Sequence, residues 1–148
     1  MTEFSATTPF RLVRRLAAVG QDAPSLYLLI CDPAEMDAVL ADMAAEVQIQ
    51  LGLELRAIAA STLRPETLEA LTEHNAGQFV VIALAIWLPE LISSLDRNIV
   101  LLTSGGAVAL LTSSDIAEHV LISAPNLRNR LTDVLVFRPD EVFGDSRA

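Results

Sequence analysis

Short apolar blocks alternate along the chain with stretches whose apolar residues recur every three or four positions. The blocks predict strands, and the periodic stretches between them predict helices. The predicted strands cover residues 26–31, 53–60, 78–87, 107–111 and 134–137. Because strands joined by helices form a parallel sheet that is covered on both faces, we expect an α/β fold. It is a three-layer α/β/α sandwich with a five-stranded, mainly parallel sheet, plus a short N-terminal helix.

Some residues indicate where these elements lie or begin. The block at 78–87 is the most apolar, which favours a central strand. Glu54 and Arg56 place charges on one face of the block at 53–60, as is typical of an edge strand. Asp32 predicts the start of the helix after the first strand, and Ser113 or Ser114 that of the helix after the fourth.

The first predicted helix covers residues 9–19 and is amphipathic, with arginines between its apolar positions. So short a helix is not stable alone. It must therefore dock, either on its own sheet or in a groove of another protein, and the sequence leaves both alternatives open. The candidate partner contacts lie in this helix and at the only tryptophan, which ends the third strand: Phe10, Arg11, Val13, Arg14, Leu16 and Trp87.

The chain has 148 residues, which is enough for one domain that needs neither disulfides nor metals to fold. We expect an N-terminal helix and linker over residues 1–22, an α/β domain over 23–143 and a mobile tail over 144–148. The single Cys31 and the lack of a secretory signal pattern indicate a cytoplasmic protein.

The net charge of −9 makes nucleic acids and anionic membranes unfavourable partners. No apolar stretch approaches the ~20 residues of a membrane helix. Acidic residues crowd the helix after the first strand, which is either a solvated face or a docking surface for a basic partner. These residues are Asp32, Glu35, Asp37, Asp42 and Glu46.

The turn after the first strand argues against nucleotide chemistry. A phosphate-binding turn needs glycines, a lysine and free backbone N–H groups at a helix N-terminus. Residues 31–36 are CDPAEM, and they place the carboxylates of Asp32 and Glu35 there instead. The third strand ends in Trp87, where a magnesium-binding acid would be needed. We therefore expect no nucleotide, no cofactor and no catalytic residue.

Thiol and histidine chemistry are not supported by the sequence either. Cys31 has no second cysteine for redox work, Asp37 stands where a phosphatase-type loop carries an arginine, and acidic neighbours raise the pKa of the thiol. His74 and His119 fall near helix ends without ligand partners at metal-binding spacing. The sequence predicts a structural Cys31 and no metal site.

Several stretches together resemble the P-loop ATPase cores of STAND type, the AAA-like signalling ATPases of bacterial regulatory and conflict systems. They are the N-terminal helix, SLYLLI at 25–30, LDRN at 95–98, AVALL at 107–111, APNLRN at 124–129 and VLVFRP at 134–139. The phosphate loop is missing at 31–37, the magnesium acid is missing near Trp87, and Ile99 stands where the family has an arginine. The resemblance therefore implies a degenerate, nucleotide-free relative that keeps a Rossmann-like fold as a binding module.

A second resemblance is to the receiver domains of response regulators. CDP at 31–33, Thr112 and the dipeptide RP at 138–139 follow three strands, where a receiver carries an acid, a hydroxyl and lysine–proline. Because Trp87 ends the third strand in place of the phosphorylated aspartate, this resemblance implies a pseudo-receiver. The two resemblances differ in strand order and agree that the module is not catalytic.

The sequence thus favours a non-enzymatic adaptor or regulatory module, and the STAND resemblance implies a bacterial signalling or conflict system as its setting. Its partner is another protein or a second copy of itself. Two alternatives remain: a pseudo-receiver signalling domain, and a small-molecule binder or small enzyme. The latter would use the cleft at the carboxyl edge of the sheet, near Cys31 and Ser113.

Overall fold

A computed structural model describes residues 5–19, 25–63, 78–99, 103 and 107–137 of the chain. Six strands and five helices follow one another in these residues, with 3₁₀ turns at Pro33–Glu35 and Ala60–Thr62. In chain order they are β1 (Ser5–Thr7), α1 (Pro9–Val19), β2 (Ser25–Ile30), α2 (Met36–Leu51), β3 (Glu54–Ala59), β4 (Gln78–Leu84), α3 (Pro89–Arg97), β5 (Ala107–Thr112), α4 (Ser114–Ser123), α5 (Pro125–Arg130) and β6 (Asp133–Phe137).

The strands form one parallel sheet in the order β1-β6-β2-β5-β4-β3. The fold is α/β, as predicted, but the sheet has six strands and not five. The additional strand is β1, whose three residues pair with β6 in the register Ser5↔Leu135 to Thr7↔Phe137. So short and polar a segment carries no period-2 pattern, and the sequence analysis therefore missed it.

The positions of two strands test the expectations from composition. β3 lies at an edge of the sheet, as its charges predicted. The expectation that the apolar strand β4 is central was wrong, since β4 is second from that edge and β2 and β5 are central. Helices cover both faces of the sheet, so a strand can be fully apolar without occupying its middle.

The strand order also contradicts the resemblance to a receiver. In a receiver the order is 2-1-3-4-5, so the first strand lies between the second and the third. Here β2, which begins the predicted α/β domain, lies between β6 and β5. The pseudo-receiver interpretation is therefore wrong at the level of topology.

Two cores cover the two faces of the sheet, and β2 shows how its alternating side chains divide between them. Leu26, Leu28 and Ile30 point to one face, where they pack with residues of α3, α4 and α5; we call this the α3–α5 core. Tyr27 and Leu29 point to the other face, where they pack with residues of α1 and α2; this is the α1–α2 core. The α/β/α layering follows from this division.

Some predictions lie outside the described residues, namely those for His74, the dipeptide at 138–139 and the tail. Within the described ranges, no helix combines the length and apolar character that a membrane crossing requires.

Candidate functional site

The turn between β2 and α2 stands where a phosphate-binding loop would lie, and its polar groups are bonded to one another. The carboxylate of Asp32 accepts a hydrogen bond from the N–H of Ala34 at 2.9 Å, and its carbonyl accepts one from Glu35 at 2.9 Å. The N–H of Cys31 donates to the carbonyl of Thr112 at 3.0 Å. Asp32 is thus a cap, as predicted, although it caps the 3₁₀ turn that precedes α2.

Cys31 lies at the carboxyl end of β2 in the α1–α2 core, with only 4% of its surface exposed. Burial raises the pKa of its thiol to about 11, and the charges of Glu35 and Asp32 add to this effect in that order. The predicted direction of the shift is confirmed. The larger cause is burial, which sequence neighbours alone do not reveal. The thiol is therefore protonated at neutral pH and is a poor nucleophile.

Thr112, at the end of β5, holds the carboxyl edge of the sheet together. Its side chain is fully buried, and the hydroxyl donates to the carbonyl of Leu84 at the end of β4, at 2.7 Å. Its own carbonyl accepts the bond from Cys31 described above. In the sequence, Thr112 was notable only through the receiver resemblance, which does not indicate this structural role. A threonine at the end of an apolar strand is the signal that could have indicated it.

Ser113 follows Thr112 and caps α4. It is one of the two serines that were predicted to begin this helix. Its hydroxyl accepts from the N–H of Ile116 at 3.5 Å, and its carbonyl accepts from Ala117 at 2.9 Å. Both polar groups of this serine are therefore engaged by the helix it begins. Ser113 is positioned as the N-cap of α4.

Trp87 lies beyond β4, on the side of the sheet that carries the α3–α5 core. Its ring is 5.3 Å from that of His119 on α4, with the planes tilted by 38°. Its side chain is half-buried, whereas the preceding Ile86 is 60% exposed. Trp87 therefore packs at the edge of the core and still presents part of its surface.

Helix α1 packs on the opposite side of the sheet, against α2. Val13 and Leu16 are 0% and 1% exposed and belong to the α1–α2 core, so they cannot contact a partner in this structure. This corrects their assignment as candidate contacts, because the apolar stripe of α1 docks on its own domain. Phe10, Arg11 and Arg14 remain at the surface, with Phe10 49% exposed.

The outer face of α1 is anchored at two points. Arg15 forms an ion pair with Asp133 at the start of β6. At the other end, the side-chain amide of Gln50 on α2 donates to the carbonyl of Phe10 at 3.2 Å. The accessible candidate contacts on α1 therefore form one surface, and Trp87 lies on the other side of the sheet. The structure does not bring the two together.

Two of the stretches that resemble STAND ATPases, residues 95–98 and 124–129, contact each other through Asp96. Its carboxylate accepts from the backbone N–H of Leu127 at 2.8 Å and from the side chain of Asn126 at 3.3 Å. Asp96, at the end of α3, thus accepts a hydrogen bond from a backbone N–H in the first turn of α5, where such groups have no partner within the helix. This is a structural role.

A groove of about 970 Å³ is lined by described residues. It lies between the 3₁₀ turn after β3 and helix α3, where Ser61, Leu63, Leu91 and Arg97 are among its lining residues. The groove lies beyond the carboxyl ends of β3 and β4, and neither Cys31 nor Ser113 is among its lining residues. The described residues also contain no group of three metal-ligating side chains.

No protein-family model and no curated protein matches the chain. Among solved structures it is similar to the Thermotoga maritima RuvB Holliday junction branch migration motor, with a TM-score of 0.52 and 16% sequence identity. The match covers 86% of this chain and 42% of the motor chain, so this protein spans less than half the length of that neighbour. At this identity the likeness shows the fold alone, an α/β fold with a parallel sheet flanked by helices. The predicted degeneracy of the nucleotide site stays a prediction.

Proposed function

We propose that this protein is a non-enzymatic protein-interaction module built on a P-loop-like fold that does not bind nucleotides. The observation that supports this most is the self-bonded turn after β2. The N–H groups of Cys31, Ala34 and Glu35 donate to protein oxygens, whereas a phosphate-binding turn keeps such groups free. A phosphate there would have to displace the Asp32 carboxylate and approach the charge of Glu35, which is unfavourable.

The outer face of α1 is the surface that we propose for a protein partner. It combines a half-exposed aromatic side chain, Phe10, with the exposed charges of Arg11 and Arg14. Aromatic and arginine side chains are the types most often found at the energetic centre of interfaces. Because the protein as a whole is acidic, this basic patch favours a partner with a complementary acidic surface. Regulation within a bacterial signalling or conflict system is the setting that the STAND resemblance implies.

Isothermal titration calorimetry with ATP and GTP, with and without magnesium, tests the nucleotide part of the proposal. We expect no binding tighter than a Kd of about 100 μM, which corresponds to about −5.5 kcal/mol. An Asp32→Asn variant, which keeps a capping oxygen but removes the charge, is the matched control. Tighter binding by the unmodified protein would overturn the proposal.

The interaction part is tested by comparing the proteins retained by the unmodified chain and by a Phe10→Ala, Arg11→Glu, Arg14→Glu variant. The matched control is Ile122→Ala, since Ile122 is 77% exposed on α4, away from α1. We expect the triple variant, and not the control, to lose a specific partner. Equal retention by both variants would exclude the α1 surface.

A further inference from the structure

The sheet ends in two edges that differ in length and exposure. β1 has three residues, and short edge strands resist further pairing. β3 has six, and no other strand in the described part of the chain pairs with its outer side. Its outward N–H and C=O groups therefore form a template for another strand. Four of its residues are exposed: Glu54, Arg56, Ala57 and Ala59.

β3 carries two charges, as edge strands often do, but it lacks other features by which edge strands resist pairing. Its sequence, ELRAIA, contains neither proline nor lysine. Its two charges are of opposite sign, so the strand carries no net charge that would repel a second copy. The small side chains of Ala57 and Ala59 leave the outer part of the strand open to a neighbouring backbone.

The positions of the two charges make this edge complementary to itself. Glu54 and Arg56 are two residues apart, so their side chains lie on the same face of the sheet. In an antiparallel pair centred on Leu55, Glu54 of each chain stands opposite Arg56 of the partner subunit. Opposite charges at directly facing positions stabilise a strand pair, and like charges destabilise it. A register centred on Glu54 or on Arg56 would bring like charges together.

We propose that β3 pairs antiparallel with β3 of a second copy of this chain, giving a two-fold dimer with a continuous sheet. The two-fold axis passes Leu55, and the symmetry forms the Glu54–Arg56 ion pair twice. This inference extends the proposed interaction function by naming one partner. It uses a different surface from α1, so the two proposals can fail independently.

Sedimentation equilibrium of the full chain from 1 to 200 μM tests the dimer. We expect a monomer–dimer equilibrium for the unmodified protein. Glu54→Arg and Arg56→Glu should each weaken it about tenfold or more, because each replaces two ion pairs by two repulsions. The double variant restores both pairs with reversed polarity and should dimerise like the unmodified protein. A monomer across the whole range, unchanged single variants or an unrestored double variant would each overturn the proposal.

Cysteine cross-linking tests the register without reversing charges. In the proposed pairing, residues 54 and 56 of opposite chains have Cα atoms about 5 Å apart, within disulfide range, whereas two residues 54 lie about 7–8 Å apart, beyond that range. Mixing the Glu54→Cys and Arg56→Cys variants under mild oxidation should give a mixed disulfide dimer. Each variant alone should cross-link far less. Equal cross-linking in all three samples, or in none, contradicts the register.

Discussion

Replacing Leu16 by alanine should destabilise the protein strongly, whereas replacing Phe10 should not. The sequence predicts both residues on the apolar stripe of α1 and so treats them alike. The structure separates them, because Leu16 is 1% exposed in the α1–α2 core and Phe10 is 49% exposed. The comparison therefore asks whether α1 is part of the fold or a detachable peptide.

The expected magnitudes follow from this burial. Leu16→Ala removes buried methyl groups and leaves a cavity between α1 and the sheet, which costs about 2–5 kcal/mol of unfolding free energy. Such a loss is a large share of the roughly 5–15 kcal/mol that stabilises a typical domain. Phe10→Ala removes a side chain that is only half buried, so we expect a loss of about 1 kcal/mol or less.

Urea unfolding followed by the fluorescence of Trp87, the only tryptophan, measures both values. The midpoint for Leu16→Ala should fall with an unchanged slope, which indicates lost stability and not an altered denatured state. The docking of α1 would be refuted if Leu16→Ala cost less than about 1 kcal/mol, or no more than Phe10→Ala.

Two further predictions concern the carboxyl edge of the sheet. Thr112→Val should lower the free energy of unfolding, measured with urea, by about 1–3 kcal/mol, because the buried carbonyl of Leu84 loses its donor. Thr112→Ser keeps the hydroxyl and should lower it less. Equal losses in the two variants would contradict the role of that bond. The second follows from the pKa of the Cys31 thiol, which is about 11 in the folded protein against an ordinary value of 9.0. The resulting stabilisation should be fully present below pH 9 and should be lost, by up to about 2–3 kcal/mol, as pH rises from 9 to 11. Cys31→Ala should reduce this decline without abolishing it, since burial also raises the pKa of Tyr27, and an unchanged decline would show that the thiol is not its source.

The sequence predicted the elements well where a local pattern defines them. The bounds predicted for α1 are those observed, and Asp32 and Ser113 cap helical turns as expected. Such features depend on neighbouring residues, which the sequence displays directly. Strand order depends on contacts between distant residues, so neither the addition of β1 beside β6 nor the place of β4 could be derived from local pattern.

The candidate contacts illustrate the same limit. Spacing placed Phe10, Val13 and Leu16 on one stripe, but the stripe that the structure buries consists of Leu12, Val13 and Leu16, and Phe10 is 49% exposed. The hydrogen bond from Thr112 to Leu84 joins residues 28 positions apart, so the sequence could draw attention to Thr112 but could not identify the group that it bonds. The acidic neighbours of Cys31 were visible in the sequence, whereas its burial, the larger cause of the pKa shift, required the fold.

The place of β2 in the sheet has a consequence for how this chain acquires its structure. Both neighbours of β2 come from the second half of the chain, and the ion pair between Arg15 and Asp133 joins residues 118 positions apart. During synthesis, the apolar faces of α1 and β2 therefore emerge long before β5 and β6 exist to cover them. Contacts of such separation slow folding and prolong the exposure of aggregation-prone surface. A chain cut before β6 would lack the strand that pairs with both β1 and β2, so β1 would have no place in the sheet.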